Sequence, residues 1–241
     1  MVNSAYIDQV EKRSLELGAP TFEKFNDGNN TIKWDEEAER QWKLHPPETT
    51  QFFDKNVYEL CNKKSVKTVM DVGCGTGLLI YSLPKGKKYI GVDQNNTMLS
   101  YAKMRTEQVY GSATQILKSP ITDISTGYPD LLGTIDRLVT FTVLQHNHLR
   151  TTSKALEDFY KLLSPKGELL LLEGTLNPET YTKEICQKYR HPEIDFDTEI
   201  GAVSGGYFTV NGWKAFLAAH DFEVINYIKE STLFHVRKVN G

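Results

Sequence analysis

Cysteine is scarce in this chain. Three residues, Cys61, Cys74 and Cys186, are scattered over 241 positions with no Cys-x-x-Cys spacing. That pattern speaks against a disulfide framework and a thiolate metal site, and it suits a reducing compartment. Charge of one sign is lacking as well, because 28 Lys and Arg face 31 Asp and Glu for a formal net charge of −3. Such a balance offers no electrostatic footprint for nucleic acid or for an anionic membrane surface. Long apolar runs are absent too. The run of leucines at 169–172 falls far short of the ~20 residues that a spanning helix needs. The N-terminal "MVNSAYIDQVEKRSLELGAP" lacks the basic-then-apolar layout of a secretory leader, so the expected compartment is the cytoplasm. The sequence contains no internal repeat, heptad run or low-complexity tract.

What is present is a change of pattern near residue 66. Upstream, the chain reads as helices. Ile7, Val10 and Leu17 share one helical face, and "WDEEAERQWKL" is a helix stopped by Pro46 and Pro47. Phe53, Val57 and Leu60 mark the buried side of a third helix. Downstream, "KTVMDV", "KKYIGVD", "SATQILK", "IDRLVTFTVL" and "ELLLLEG" are short apolar strands. The helices "TGLLIYSL", "NNTMLSYAKMRTEQ" and, with its stop, "TTSKALEDFYKLLSPKG" fall among them. Strands apolar on both faces and separated by helices describe a parallel sheet covered on both sides. The tail departs from this pattern. "TVNGWKAFLAAHD" reads as a helix, and "FEVINYIKE" and "LFHVRKV" as two strands too close in sequence to be parallel. Residues 175–208 are too many for a plain connection and read as an inserted cap. The expected organisation is a helical cap or lid over residues 1–60, then an α/β domain over 61–241 that carries this insertion.

The most informative stretch is "VMDVGCGTG", residues 69–77, where Gly73, Gly75 and Gly77 stand at a strand-to-helix junction. In an open α/β sheet, ligands bind outside the carboxyl ends of the strands, where the strand order switches. Glycines there let the backbone approach a ligand and present N–H groups at a helix start. The spacing is G-x-G-x-G, which differs from the dinucleotide fingerprint G-x-G-x-x-G. Asp71 precedes the glycines at the strand end, either beside a ligand's polar head or bonding the loop amides. Asp93 ends the next strand about twenty residues on, where an acidic side chain accepts both hydroxyls of a ribose. The competing reading of Asp93 is an N-cap for the helix that follows "DQNNT".

"VMDVGCGTG", "YIGVD", "IDRLVTFTVLQH" and "LLSPKGELLLLEG", taken in order, resemble successive blocks of the class I S-adenosylmethionine-dependent methyltransferases over about residues 50–240. The resemblance implies a doubly wound, Rossmann-like α/β fold: seven strands, mostly parallel, with an antiparallel last strand. It implies S-adenosyl-L-methionine as cofactor. Gly73, Cys74, Gly75 and Gly77 would meet its methionine part, with Asp71 near the polar head, Asp93 on the ribose and Gln94 on the adenine. Met98 and Phe141 complete the expected cofactor set. One departure concerns the segment after the third strand, where the family often has an acidic residue and this chain has Pro120. Ile121 or Thr122 would then supply the adenine contacts.

Methyl transfer from a sulfonium is an in-line displacement with a good leaving group. Placing the nucleophile about 3–3.5 Å from the methyl carbon therefore supplies much of the rate. A general base is needed only where the acceptor holds its proton tightly. His146, in "FTVLQHNHLR" after the fourth strand, is the candidate to orient or deprotonate an acceptor, or else a cap on the strand end. Glu173, ending the fifth strand, is the second catalytic candidate, expected on the same side of the sheet. Trp34, Arg40, Trp42 and His45 are candidates for a lid, and Tyr181, Tyr189, Arg190, His191 and Tyr207 for substrate contacts in the insertion. No metal site is expected. No Asp/Asn-Pro-Pro-aromatic run follows the fourth strand and no Pro-Cys pair occurs, so a base in nucleic acid is not the expected acceptor. The expectation is transfer of a methyl group to an oxygen or nitrogen of a small molecule. The alternatives are a peptide or protein acceptor, a non-methylating S-adenosylmethionine enzyme on the same fold, a non-catalytic cofactor-binding subunit and a nicotinamide-dependent oxidoreductase. The oligomeric state stays open.

Overall fold

The computed structural model describes residues 4–16, 33–45, 54–110, 114–176, 202–203 and 207–239. The apolar runs form strands β1 (Thr68–Val72), β2 (Lys88–Asp93), β3 (Thr114–Lys118), β4 (Ile135–Phe141) and β5 (Leu163–Leu172). These five are parallel and lie in the order β3-β2-β1-β4-β5. Short strands β6 (Thr175–Leu176), β7 (Ala202–Val203) and β8 (Tyr207–Thr209) make a separate three-stranded sheet. Strands β9 (Phe222–Ile228) and β10 (Leu233–Lys238) bring the main sheet to seven, with β10 between β5 and β9 and antiparallel to both. The chain leaves β1 through β2 to β3 on one side and returns through β4 to β5 on the other. The strand order therefore reverses between β1 and β4, and a crevice opens at their carboxyl ends.

The helices are α1 (Ser4–Glu16), α2 (Trp34–Leu44), α3 (Lys55–Cys61), α4 (Asn96–Tyr110), α5 (Ile124–Gly127), α6 (Leu149–Leu162) and α7 (Val210–Ala218). Alternate residues of each strand face opposite sides of the sheet. Met70 and Val72 of β1 join Ile90, Val92, Leu138, Leu169 and Leu171 in a cluster covered by α1, α5, α6 and α7. Val69 joins Tyr89, Val139, Leu170 and Leu172 on the other face, under α3 and the 3₁₀ turn Leu78–Ser82. This two-sided burial is what makes the strands read as nearly unbroken apolar runs.

Two boundaries differ from the expectation. Helices α1 and α3 belong to the core: Ile7 and Val10 of α1 are buried in the cluster on one face of the sheet, and Val57 and Cys61 of α3 in that on the other. Arg150 Nε donates to Glu11 Oε1 at 2.8 Å and fastens α1 to α6. A division at residues 60/61 would cut through α3, whose N-cap Asp54 accepts the Val57 amide at 2.9 Å and whose Val57 and Cys61 are buried. The strand expected from Glu168 begins at Leu163, directly after α6 closes at Leu162. A Cβ on Gly167 would stand 2.4 Å from the Ile135 carbonyl oxygen, so the position is taken up by close contact with β4, where the register slips between Ile135 and Arg137. Leu17, Phe53 and the insertion candidates Tyr181, Tyr189, Arg190 and His191 lie outside the described residues, as does the side chain of Tyr207.

Candidate functional site

A cavity of about 510 Å³ opens at the carboxyl ends of β1, β2 and β4. Its first wall is the loop after β1. The amides of Gly73 and Cys74 donate to the Val92 carbonyl at 2.7 and 2.9 Å, which bends the chain across the end of β2. Gly73 has φ +70, and a Cβ there would lie 2.3 Å from Val143 Cγ2. Only glycine meets both demands. Gly75 also has positive φ, but a Cβ on it would meet Gln41 and Met98 at an ordinary 3.8 Å. Its amide donates to Asp93 Oδ2 at 3.0 Å. Gly77 stands off the cavity wall and packs against Ala102 of α4.

Asp93 ends β2 with its second oxygen, Oδ1, accepting the Asn95 amide at 2.9 Å. The Gln94 amide is a third backbone donor to the same carboxylate, which has about four acceptor positions. Burial pushes the Asp93 carboxyl above its usual range. The N-cap of α4 is Asn95, whose Oδ1 accepts the Met98 amide at 2.8 Å; Asp93 is not needed for that task. Asp71 is buried and accepts from the Tyr89 hydroxyl at 2.8 Å, and burial pushes it up to about 7. Cys74, Gln94, Met98, Ile121 and Thr122 line the cavity together with Pro120. Burial also raises the Cys74 thiol, so it stays protonated and unreactive.

The opposite wall follows β4. Phe141 ends the strand, and Thr142 takes φ +52, an outlier for a β-branched residue. The structure places Glu173 beneath this turn, away from the cavity wall. It is fully buried and accepts the amides of Val143, Leu144 and Gln145 at 3.0, 3.0 and 3.1 Å and the Thr140 hydroxyl at 3.3 Å. Gln145 Oε1 in return accepts the Gly174 amide at 2.6 Å. Three successive amides thus converge on one carboxylate, which differs from the expected contact with substrate. Burial pushes Glu173 up to about 7 against the pull of those donors. His146 does line the cavity, beside Asn147 and Thr151. Burial lowers its pKa, so the imidazole is unprotonated near neutrality.

The third wall is α2. Trp34, Glu37 and Gln41, spaced i, i+3 and i+7, line the cavity from one helix face. The Trp34 ring meets the His146 ring edge-on, with centroids 5.8 Å apart. Gln41 Oε1 accepts the Thr76 hydroxyl at 3.1 Å, and Asn95 Nδ2 donates to Asp35 at 3.1 Å. Arg40 is exposed and pairs with Glu37 at 2.6 Å, Trp42 stacks on Tyr101, and the exposed His45 offers a backbone carbonyl. Glu37, Gln41, Thr142, Asn147 and Thr151 were not foreseen. The spacing of Trp34, Glu37 and Gln41 was the one signal available for α2. Among the described residues, no group of three or more His, Cys, Asp or Glu could hold a metal ion.

Residues 63–216 match the family model of a methyltransferase domain. A ubiquinone biosynthesis O-methyltransferase of Acinetobacter baylyi is 24% identical over 151 residues, which are 61% of this chain and 59% of that protein. The match thus spans less than two thirds of that relative's length. Among solved structures, a SAM-dependent methyltransferase from Aquifex aeolicus superposes with a TM-score of 0.57 at 19% identity, covering 83% of this chain and 96% of that one. SAM-dependent methyltransferases from Methanosarcina mazei give 0.60 at 16% identity, covering 79% and 100%. These two likenesses carry the fold.

Proposed function

The chain belongs to the class I S-adenosylmethionine-dependent methyltransferases, and we propose that it moves a methyl group onto an oxygen or nitrogen of a small molecule. S-adenosyl-L-methionine is the family's cofactor, and the residues present suit it. Asp93 would hold the ribose, since its carboxylate lines the cavity at the end of β2 beside the Gly75 amide. Met98, Pro120, Ile121 and Thr122 would flank the flat adenine, with Gln94 at its edge. Gly75 and Cys74 would let the backbone lie close to the methionine part, near Asp71. When bound, the cofactor supplies an electrophilic methyl group on a positively charged sulfur.

The chain's own residues do the rest by placement and proton handling. Thr142, His146, Asn147 and Trp34 would hold the acceptor at the β4 end of the cavity. An unprotonated ring nitrogen of His146 would accept the proton of the acceptor's hydroxyl or amine. Trp34 and its helix would keep water from that end. The observation that carries the small-molecule reading is the cover that helix α2 lays along the β4 end of the site, with the Trp34 edge on His146. The O-methyltransferase name of the Acinetobacter relative supports the same reading. The expected cytoplasmic placement remains part of this proposal; among the described residues no helix is long and apolar enough to cross a membrane.

The test uses methyl-labelled S-adenosylmethionine with a panel of small hydroxyl and amine compounds and, in parallel, with a cell protein extract. Label is expected in the small-molecule fraction, with release of S-adenosylhomocysteine. Label in protein alone would overturn the small-molecule reading.

A further inference from the structure

Behind the cavity wall, the middle of α4 carries a cation with no exposed surface, Arg105. A charge buried that deeply is costly unless its donors are engaged; Nε and Nη1 are, while Nη2 has no hydrogen-bond partner among the described residues. Its Nε donates to the Thr76 carbonyl, within the glycine loop, at 2.8 Å. Its Nη1 donates to the His45 carbonyl, at the end of α2, at 2.8 Å and to the Tyr81 hydroxyl at 3.0 Å. The guanidinium lies over the rings of Trp42 and Tyr81, 4.9 and 5.4 Å from their centroids. Trp42 also stacks on Tyr101, one turn earlier on α4, at 4.9 Å. One side chain therefore joins the loop after β1, the turn that follows it and the last turn of α2. Thr76 is held from two directions, its carbonyl by Arg105 and its hydroxyl by Gln41 of α2.

We propose that Arg105 is a positioning residue for cofactor binding, which locks α2, with its cavity-facing Trp34, Glu37 and Gln41, onto the Gly73–Gly77 loop. The planar fork of a guanidinium serves carbonyls on two different segments while its face packs on aromatic rings. A lysine ammonium has the charge but neither the fork nor the flat face, so Arg105→Lys isolates the clamp from the charge. The inference rests on the cofactor assignment and is independent of the acceptor.

Calorimetric titration of the full chain with S-adenosylhomocysteine tests it, using R105K, Gln41→Ala and the double variant. Gln41→Ala touches the wall directly and should weaken binding about threefold, and R105K about tenfold. The double variant should bind no more weakly than R105K alone, because a displaced helix no longer presents position 41 to the cavity. A purely structural Arg105 would lower the melting temperature while leaving the affinity of the folded fraction intact. R105K binding within about twofold of the parent, or losses that multiply in the double variant, would overturn the proposal. If R105K does not fold, hydrogen exchange on the unaltered protein decides. Amides 34–44 should gain protection with S-adenosylhomocysteine together with amides 73–77, and a gain confined to 73–77 would overturn it. A parent that fails to bind S-adenosylhomocysteine would overturn the cofactor assignment and this inference together.

Discussion

The two ends of the cavity are built in different ways. At the β1–β2 end, the shape comes from local backbone conformation: positive φ at Gly73 and Gly75, and amides turned onto Val92 and Asp93 within some twenty residues of chain. At the β4–α2 end, it comes from side chains that arrive from far away. Glu173 reaches back 30 positions to the Val143 amide, and Trp34 of α2 meets His146. The first kind of site is written in a short motif and tolerates little change of residue type. The second depends on the fold having already formed.

The largest effect that separates the two ends is expected at His146. With the acceptor found by the labelling screen, His146→Ala should slow transfer by about 10²–10⁴-fold, with S-adenosylhomocysteine affinity nearly unchanged. Because burial lowers the His146 pKa, the parent's rate should rise with pH through an ionisation below 6.5 and level off by neutrality. The variant should lack that step. If the step survives in His146→Ala, another group takes the proton.

A smaller effect should distinguish two glycines of one motif. Gly73→Ala places a Cβ 2.3 Å from Val143 Cγ2 at φ +70 and should cost about 2–3 kcal/mol of stability, read by urea unfolding. Gly75→Ala meets no such clash and should cost about 1 kcal/mol for its left-handed backbone. Equal losses at the two positions would contradict the close approach of the β1 loop to the β4 turn.

The smallest effect is electrostatic. Burial raises the Asp71 and Glu173 carboxyls to about 7, so the folded chain holds their protons more tightly than the unfolded chain does. Their contribution to stability is complete below the ordinary carboxylate range and is lost as pH rises toward 7. Glu168 behaves oppositely. Burial would raise it, yet the His235 hydrogen bond and the Arg137 charge hold it down at about 2. Its contribution is present at neutral pH and is lost as pH falls toward 2. Burial lowers the pKa of His146 and of His220, which work the other way as pH rises toward 6.5. The carboxyls are therefore read by comparing variants in thermal melts of the unliganded chain from pH 5 to 7.5, where each carboxyl contributes a decline. Glu173→Gln, neutral throughout, should make that decline shallower, and an unchanged slope would contradict the burial of an ionising Glu173.

The sheet and the loop after β1 were legible because their signals lie in short stretches of sequence. The alternation of strands and helices is read within each element, and the G-x-G-x-G loop and Asp93 lie within some twenty residues of each other. Asp93 had a competing reading as a helix cap, and the structure gives that task to Asn95. Gly77 was expected on the cofactor and instead packs on Ala102, because one glycine spacing serves a turn, a helix contact and a ligand alike. Glu173 was expected at the substrate and lies under the loop, since its position at a strand end did not reveal that three amides would turn toward it. Arg105 carried no signal at all. A lone arginine on an amphipathic helix reads as solvated until the fold brings Thr76, His45 and Trp42 around it. The start of β5 at Leu163 was missed because Pro165 and Gly167 mark a helix stop without saying whether loop or strand follows.

The assignment of the cavity to S-adenosylmethionine is tested most directly by calorimetric titration of the parent and of Asp93→Ala with S-adenosylhomocysteine, with NADH as the comparison ligand. The parent should bind S-adenosylhomocysteine at one site and give no heat with NADH. Asp93→Ala should bind at least about tenfold more weakly, the loss expected for charge-assisted bonds to two ribose hydroxyls. Unchanged affinity in the variant, or NADH binding by the parent, would contradict the assignment.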